Sequence, residues 1–234
     1  MPSPSALTLD LCEEVLRRLE PVSADLGYFD RQQEVANDRS ELKALLCGRR
    51  GGKTEFLARW LYEGLLLWPG ENHVYVVLRK NQARRIMKRM LERLNRQLTL
   101  GLTFTEKDQQ LFCVHPNGGT IWLTGCDDAL EAEKFRGDRY GRVVIDEAGS
   151  FGQYLQMLVE ESIEPALADL NGQLIVAGSP GLVPRGYFWA ITTGDDDSEV
   201  RQWPTYAWTC LDNPHIDASK FIATNEAGRP VPGP

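Results

Sequence analysis

The feature that most constrains this chain is an apolar run that feeds a glycine-rich turn and then a long helical segment. Residues 42–47 are mostly apolar, as a strand buried on both faces is. They lead into Gly48-Arg49-Arg50-Gly51-Gly52-Lys53-Thr54, and residues 53–68 keep helical spacing until Pro69-Gly70 stops them. Strand, glycine turn and helix in that order open a βαβ unit, whose strands run parallel and whose crossovers are right-handed. The alternation continues along the chain. Residues 73–78, 142–145 and 174–177 read as buried strands, and 30–38, 81–98 and 154–170 as helices, with Pro165 placing a kink or break in the last. Residues 103–114 and 120–125 flank Pro116-Asn117-Gly118-Gly119 and read as the two arms of a hairpin. The expected fold is α/β, with a mostly parallel central sheet flanked by helices.

The glycine turn carries chemistry. The phosphate-loop pattern is G-x-x-x-x-G-K-[ST], in which glycines let backbone amides wrap phosphate oxygens. Here Gly52-Lys53-Thr54 fits, and Cys47 takes the place of the first glycine. Gly48, Gly51 and Gly52 supply pliable backbone around Arg49 and Arg50. Lys53 puts a cation on the β- and γ-phosphates, and Thr54 offers a hydroxyl to Mg²⁺. The helix that follows adds the positive end of its dipole. A second motif, Arg142-Val143-Val144-Ile145-Asp146-Glu147-Ala148, is an apolar strand ending in two carboxylates. Ligands of open α/β sheets sit beyond the carboxyl ends of the strands, so both motifs face one crevice. Asp146 can hold the Mg²⁺, directly or through water, and Glu147 can polarise an attacking water. That pairing favours hydrolysis of ATP over transfer to a small molecule. The absence of an N-K-x-D segment argues against GTP.

Composition closes off other classes. Hydrophobic residues make up 42% and charged residues 25% of the 234-residue chain, which excludes a wholly disordered protein. No apolar run approaches the roughly 20 residues of a membrane span. No basic patch followed by an apolar core opens the chain, so no secretory signal is visible. Five cysteines lie scattered with no C-x-x-C pair, as suits free thiols in a reducing compartment. Cys113 and His115 read as packing residues rather than zinc ligands. The net charge of −7 argues against indiscriminate coating of DNA. A local basic stripe nevertheless runs through Arg79, Lys80, Arg84, Arg85, Lys88, Arg89, Arg93 and Arg96 against the single acid Glu92. It reads either as a surface for DNA phosphates or a subunit neighbour, or as a solvated helix face.

With these motifs in place, residues from about 28 to 217 resemble the ATPase domain of the large terminase subunit of tailed bacteriophages. Arg49, four residues before Lys53, matches the arginine that this family carries in its phosphate loop. Tyr28-Phe29-Asp30-Arg31-Gln32-Gln33-Glu34 looks like the family's adenine-binding stretch, with Gln32 the better match for the reading glutamine and Gln33 the alternative. Lys134-Phe135-Arg136-Gly137 resembles an R-G segment found shortly before the family's acidic strand. Arg136, ten residues ahead of Asp146, is then a candidate arginine finger given to a neighbour's ATP, and Arg139 competes for the role. Gly178-Ser179-Pro180 resembles the coupling motif, which assigns Ser179 to the link between hydrolysis and movement.

The resemblance implies a P-loop NTPase of the RecA-like, ASCE type that uses ATP and Mg²⁺ to drive double-stranded DNA into a procapsid. It implies a portal protein and a small terminase subunit as partners, and a homo-oligomeric ring on the procapsid. The implied setting is the cytoplasm of an infected bacterium, with no membrane partner. Residues 1–27 are expected to form a helical extension, 28–227 the motor domain, and 228–234 a linker-like tail. Family members normally continue into a nuclease domain, so an isolated motor domain is expected here, either cut from a longer protein or separately encoded. No DNA cleavage is expected of it, because acids outside the ATP crevice, such as Asp195-Asp196-Asp197, read as a solvated turn. Two competing readings share the phosphate loop. One is a helicase-type ATPase, which would normally need a second motor domain. The other is an ATP-dependent assembly module with little activity alone.

Overall fold

A computed structural model of the chain describes residues 26–107, 110–180, 185–194 and 200–217. Residues 1–25 of the expected helical extension, the acidic run at 195–197 and the tail at 228–234 lie outside the described residues. Among the described residues, eight strands form one sheet in the order β3-β4-β5-β2-β6-β7-β1-β8. They are β1 (Leu42–Cys47), β2 (Asn72–Val77), β3 (Thr103–Lys107), β4 (Gln110–Val114), β5 (Thr120–Gly125), β6 (Tyr140–Ile145), β7 (Gln173–Gly178) and β8 (Thr205–Trp208). The pairs from β5 through β2, β6, β7 and β1 to β8 are all parallel, and β3-β4-β5 is an antiparallel flap at one edge.

The central strands β6 and β7 are buried along their whole length, which is why they read as unbroken apolar runs. Their side chains alternate between two cores. Leu45, Tyr75, Val144 and Ile175 face α1 (Asp30–Asn37), α2 (Lys53–Leu67) and α3. Ala44, Val74, Val143 and Leu174 face α5 and α6 (Tyr187–Thr193). Helix α3 joins Lys80–Ala83, a π turn at Arg84–Lys88 and Arg89–Leu98. Helix α4 is the short segment Ala129–Ala132, continued by a 3₁₀ turn at Glu133–Phe135. Helix α5 joins Tyr154–Met157, a π turn at Leu158–Ile163, Glu164–Leu167 and a 3₁₀ turn at Ala168–Leu170. The interruption expected at Pro165 therefore takes the form of a π turn on its N-terminal side. Proline has no N–H for the carbonyl four residues back, and the widened turn absorbs the missing bond.

One expectation is corrected. Residues 103–114 are not a single arm: the chain reverses between Lys107 and Gln110, and Thr103–Lys107 pairs antiparallel with Gln110–Val114. The hairpin around His115–Gly119 lies between β4 and β5, as the turn residues predict, closed by the His115 amide donating to the Gly119 carbonyl at 2.9 Å.

The sheet order places β7 between β1 and β6. The glycine turn after β1, Ser179 after β7 and the carboxylates after β6 thus line up along one edge of the sheet. A buried strut fixes α2 to β6 lower down. The Arg142 guanidinium donates to Glu63 Oε2 at 2.6 Å and to the Trp60 carbonyl, and stacks on the Trp60 ring with its carbon 4.3 Å from the centroid.

Candidate functional site: a phosphate loop facing two carboxylates

The loop between β1 and α2 is built for close approach. Gly52 sits at φ +84° and Arg50 at φ +63°, a left-handed region that costs a side-chain-bearing residue energy. A methyl group on Gly51 would lie 2.9 Å from the Trp208 ring, so only glycine fits there. Cys47 is fully buried at the end of β1, and burial pushes its thiol far up, so the side chain filling the first glycine position is small and neutral. Arg49 and Arg50 point outward and are exposed.

Lys53 opens α2 and crosses to the acidic strand. Its ammonium lies 2.5 Å from Asp146 Oδ1 and 3.1 Å from Glu147 Oε1. Burial works to strip the Lys53 proton, but the charges and hydrogen bonds of Asp146 and Glu147 outweigh it and hold the lysine above its ordinary value. Asp146 is 1% exposed and Glu147 42% by side chain, so one carboxylate is fixed and its neighbour reaches solvent. Glu147 adopts φ +55°, and backbone of this kind in a non-glycine residue gathers at functional sites. The turn is closed by the Glu147 amide donating to Asp146 Oδ1 at 2.8 Å. Thr54 is half-buried one residue beyond Lys53, and its hydroxyl donates to no carbonyl among the described residues.

Three contacts that sequence reasoning did not find brace the site, two on the loop and one on Asp146. The Trp208 indole donates to the Gly51 carbonyl at 2.7 Å, the Asn213 amide to the Arg50 carbonyl at 3.1 Å, and Tyr75 to Asp146 Oδ2 at 2.7 Å. Gln32 is buried and turns its amide toward the Gly52 carbonyl at 3.4 Å, so it touches the loop itself. Gln33 lies on the outer side of α1 and donates to Asn37 Oδ1 at 2.9 Å. A cavity of about 310 Å³ opens beside these residues, lined by Phe29, Asp30, Arg31, Asp212 and Pro214.

The remaining candidates lie apart. Ser179 follows Gly178, which pairs with Leu46, so it stands level with the start of the phosphate loop. Arg136 follows the 3₁₀ turn after α4, on the α5 side of the sheet, and pairs with Glu133 at 2.8 Å and Glu161 at 3.6 Å. Arg139 grips Glu71 with two bonds, at 3.0 and 2.8 Å, at the opposite end of the strands from Asp146. In the basic stripe, Arg84 and Lys88 pair with Glu106, and Arg93 with Glu55 at 2.6 Å. Arg85, Arg89 and Arg96 are exposed and have no ion-pair partner among the described residues. Among those residues no helix is long and apolar enough to cross a membrane.

Residues 44–158 match the family described as terminase large subunit, T4likevirus-type, N-terminal. No curated protein matches the chain in sequence. Several solved structures match in fold. The large terminase ATPase domain of Thermus phage P74-26 superposes with a TM-score of 0.57 at 19% identity, over 79% of this chain and 82% of that one. A large terminase from a thermophilic bacteriophage, solved in complex with ADP, gives a TM-score of 0.61 at 15% identity over 81% of this chain and 47% of its own. The N-terminal domain of the DNA packaging ATPase from bacteriophage phi29 gives 0.57 at 12% identity, over 79% of this chain and 98% of that one. The chain thus spans about half the length of the whole large terminase bound to ADP. Its fold is that of these large terminase and DNA packaging ATPase domains.

Proposed function

We propose, for a chain whose residues 44–158 belong to the terminase large-subunit N-terminal family, that it is the ATP-hydrolysing motor domain of a viral DNA-packaging machine. The observation that carries this reading is the meeting of Lys53 with Asp146 and Glu147 at one edge of the sheet. A loop that wraps phosphate now faces a fixed carboxylate and a solvent-facing one. ATP is the substrate, its triphosphate on the amides of 48–53 and its base in the cavity between Phe29 and Pro214.

Mg²⁺ fits the donors present. Thr54 and Asp146 supply hard oxygen ligands, and Mg²⁺ is commonly held by one or two such groups together with waters and substrate phosphates. When bound there, it neutralises charge on the phosphate oxygens. Lys53 binds the β- and γ-phosphates and leaves its carboxylate partners to do so. Arg49 and Arg50 add positive charge around the loop. Glu147 orients the attacking water and accepts its proton. Gln32 acts on the loop through the Gly52 carbonyl. Ser179, level with the loop between β1 and β6, carries the coupling role. Arg136 completes the site of a neighbouring subunit in a ring. The DNA, the portal protein and the small terminase subunit are the partners in this reading, and the infected host's cytoplasm is its setting.

Lys53→Ala provides the test. ATP turnover by the purified chain should be lost and fluorescent-ADP binding weakened at least about tenfold, since the cation on the phosphates is gone. Turnover near the parent rate in that variant would overturn the assignment.

A further inference from the structure

We infer that Tyr75 is a positioning residue for the divalent cation: its hydroxyl fixes the orientation of Asp146 independently of Lys53. The inference rests on the reading of Asp146 as the metal-holding carboxylate. Tyr75 lies on β2, beside the acidic strand, and is fully buried. It pairs in register with Val144, so Asp146 is its diagonal neighbour two residues further on, just past the end of β6. Diagonal partners on one face of a sheet lie about 7–8 Å apart at Cα, within reach of an aromatic side chain. Both side chains sit on the α2 face, where the Tyr75 hydroxyl donates to Asp146 Oδ2 at 2.7 Å.

The two oxygens of Asp146 are held differently. Oδ1 accepts from Lys53 and from the Glu147 amide, and Oδ2 accepts from Tyr75. When Lys53 turns to the phosphates, one backbone amide remains on Oδ1. Without the phenol, Oδ2 would have no donor among the described residues, and a buried carboxylate left so either rotates or takes a proton. With it, the carboxylate plane stays pinned from both ends. Groups that orient metal ligands in this way are commonly worth about 10–100-fold in metal affinity.

The experiment is Tyr75→Phe in the full chain, which removes one oxygen and keeps the ring. Fluorescent-ADP binding is measured in a chelator and across a Mg²⁺ titration, with Val77→Ala as a packing control on the same strand and face. The parent chain must first show ADP binding that Mg²⁺ strengthens; if it does not, the reading of Asp146 falls before Tyr75 is tested. The expected result is chelator affinity within about twofold of the parent and a Mg²⁺ midpoint raised about tenfold or more. Val77→Ala should lower Tm and leave the Mg²⁺ midpoint in place. The inference is overturned if Tyr75→Phe leaves the midpoint unmoved, if ADP binding in chelator falls as much as binding in Mg²⁺, or if Val77→Ala moves the midpoint equally.

Discussion

Glu147 carries the sharpest claim at the scale of single residues. It stands next to a buried aspartate, in left-handed backbone, with its carboxylate 42% exposed and 3.1 Å from the phosphate-loop lysine. In the proposed reading, a group placed this way touches a water beside the terminal phosphate while Asp146 behind it holds the metal. Glu147→Gln keeps the shape and loses the base. MgATP binding should stay within about threefold of the parent, while kcat falls by about two decades or more, which is roughly 2.7 kcal/mol of barrier. Single-turnover hydrolysis and equilibrium binding on the same preparation check it, and an equal loss in both would remove the division of labour between Asp146 and Glu147. These residues were legible in the sequence because glycine, lysine, threonine and strand-end acids each have a fixed chemical meaning at fixed spacing. Tyr75 was not. It is 71 residues from Asp146 along the chain, and a tyrosine in an apolar strand reads as core until the sheet order is known. Gln32 stood out in the sequence as a candidate adenine reader, but its turn toward the Gly52 carbonyl depends on how α1 packs over the loop.

At the scale of elements, the edge strand β8 has a consequence for the loop. Its four residues pair with β1, and its last, Trp208, reaches the Gly51 carbonyl from 157 residues away. Trp208→Phe keeps most of the packing against Phe56 and Phe29 and removes the indole donor. A buried carbonyl left unpaired costs about 1–3 kcal/mol. The loop should then leave its wrapped form more often, and ADP affinity should fall about five- to tenfold. Thermal melting within a few degrees of the parent would show that the fold holds. Unchanged affinity would mean that the loop keeps its shape without β8. The sequence did not reveal this strand, because Thr205–Trp208 is short and only partly buried and so lacks the apolar run that marks β6 and β7. The same reasoning covers the reversal between β3 and β4. Glu106 and Lys107 precede it and Gln110 follows, with no glycine or proline among them to signal a turn. The parallel core was legible for the opposite reason. Helices cover both of its faces, and only continuous apolar runs survive there.

At the scale of the whole molecule, the proposed function has a neighbouring subunit complete the site. Arg139 is held by Glu71 at the far end of the strands, which leaves Arg136 as the arginine to test. Arg136 is 47% exposed and lies on the sheet face opposite α2, and its ion-pair partners among the described residues are the surface acids Glu133 and Glu161. Surface pairs of this kind are worth about 0–1 kcal/mol, so little holds the guanidinium back from an incoming subunit. Arg136→Ala should leave ATP binding by the free domain within about twofold. Assembled hydrolysis should fall by about 10³-fold, because the contact exists mainly in the transition state. The decisive form mixes this variant with Glu147→Gln. Each should hydrolyse ATP only feebly alone. At an interface where the first supplies the ATP site and the second supplies the arginine, both parts are intact, and turnover should return in the mixture. It should rise with total protein, since assembly follows mass action. A mixture shown by light scattering to assemble, yet still inactive, would make Arg136 a residue of its own subunit's structure. Full activity of Arg136→Ala alone would shift the role to the exposed arginines of α3, Arg85, Arg89 and Arg96.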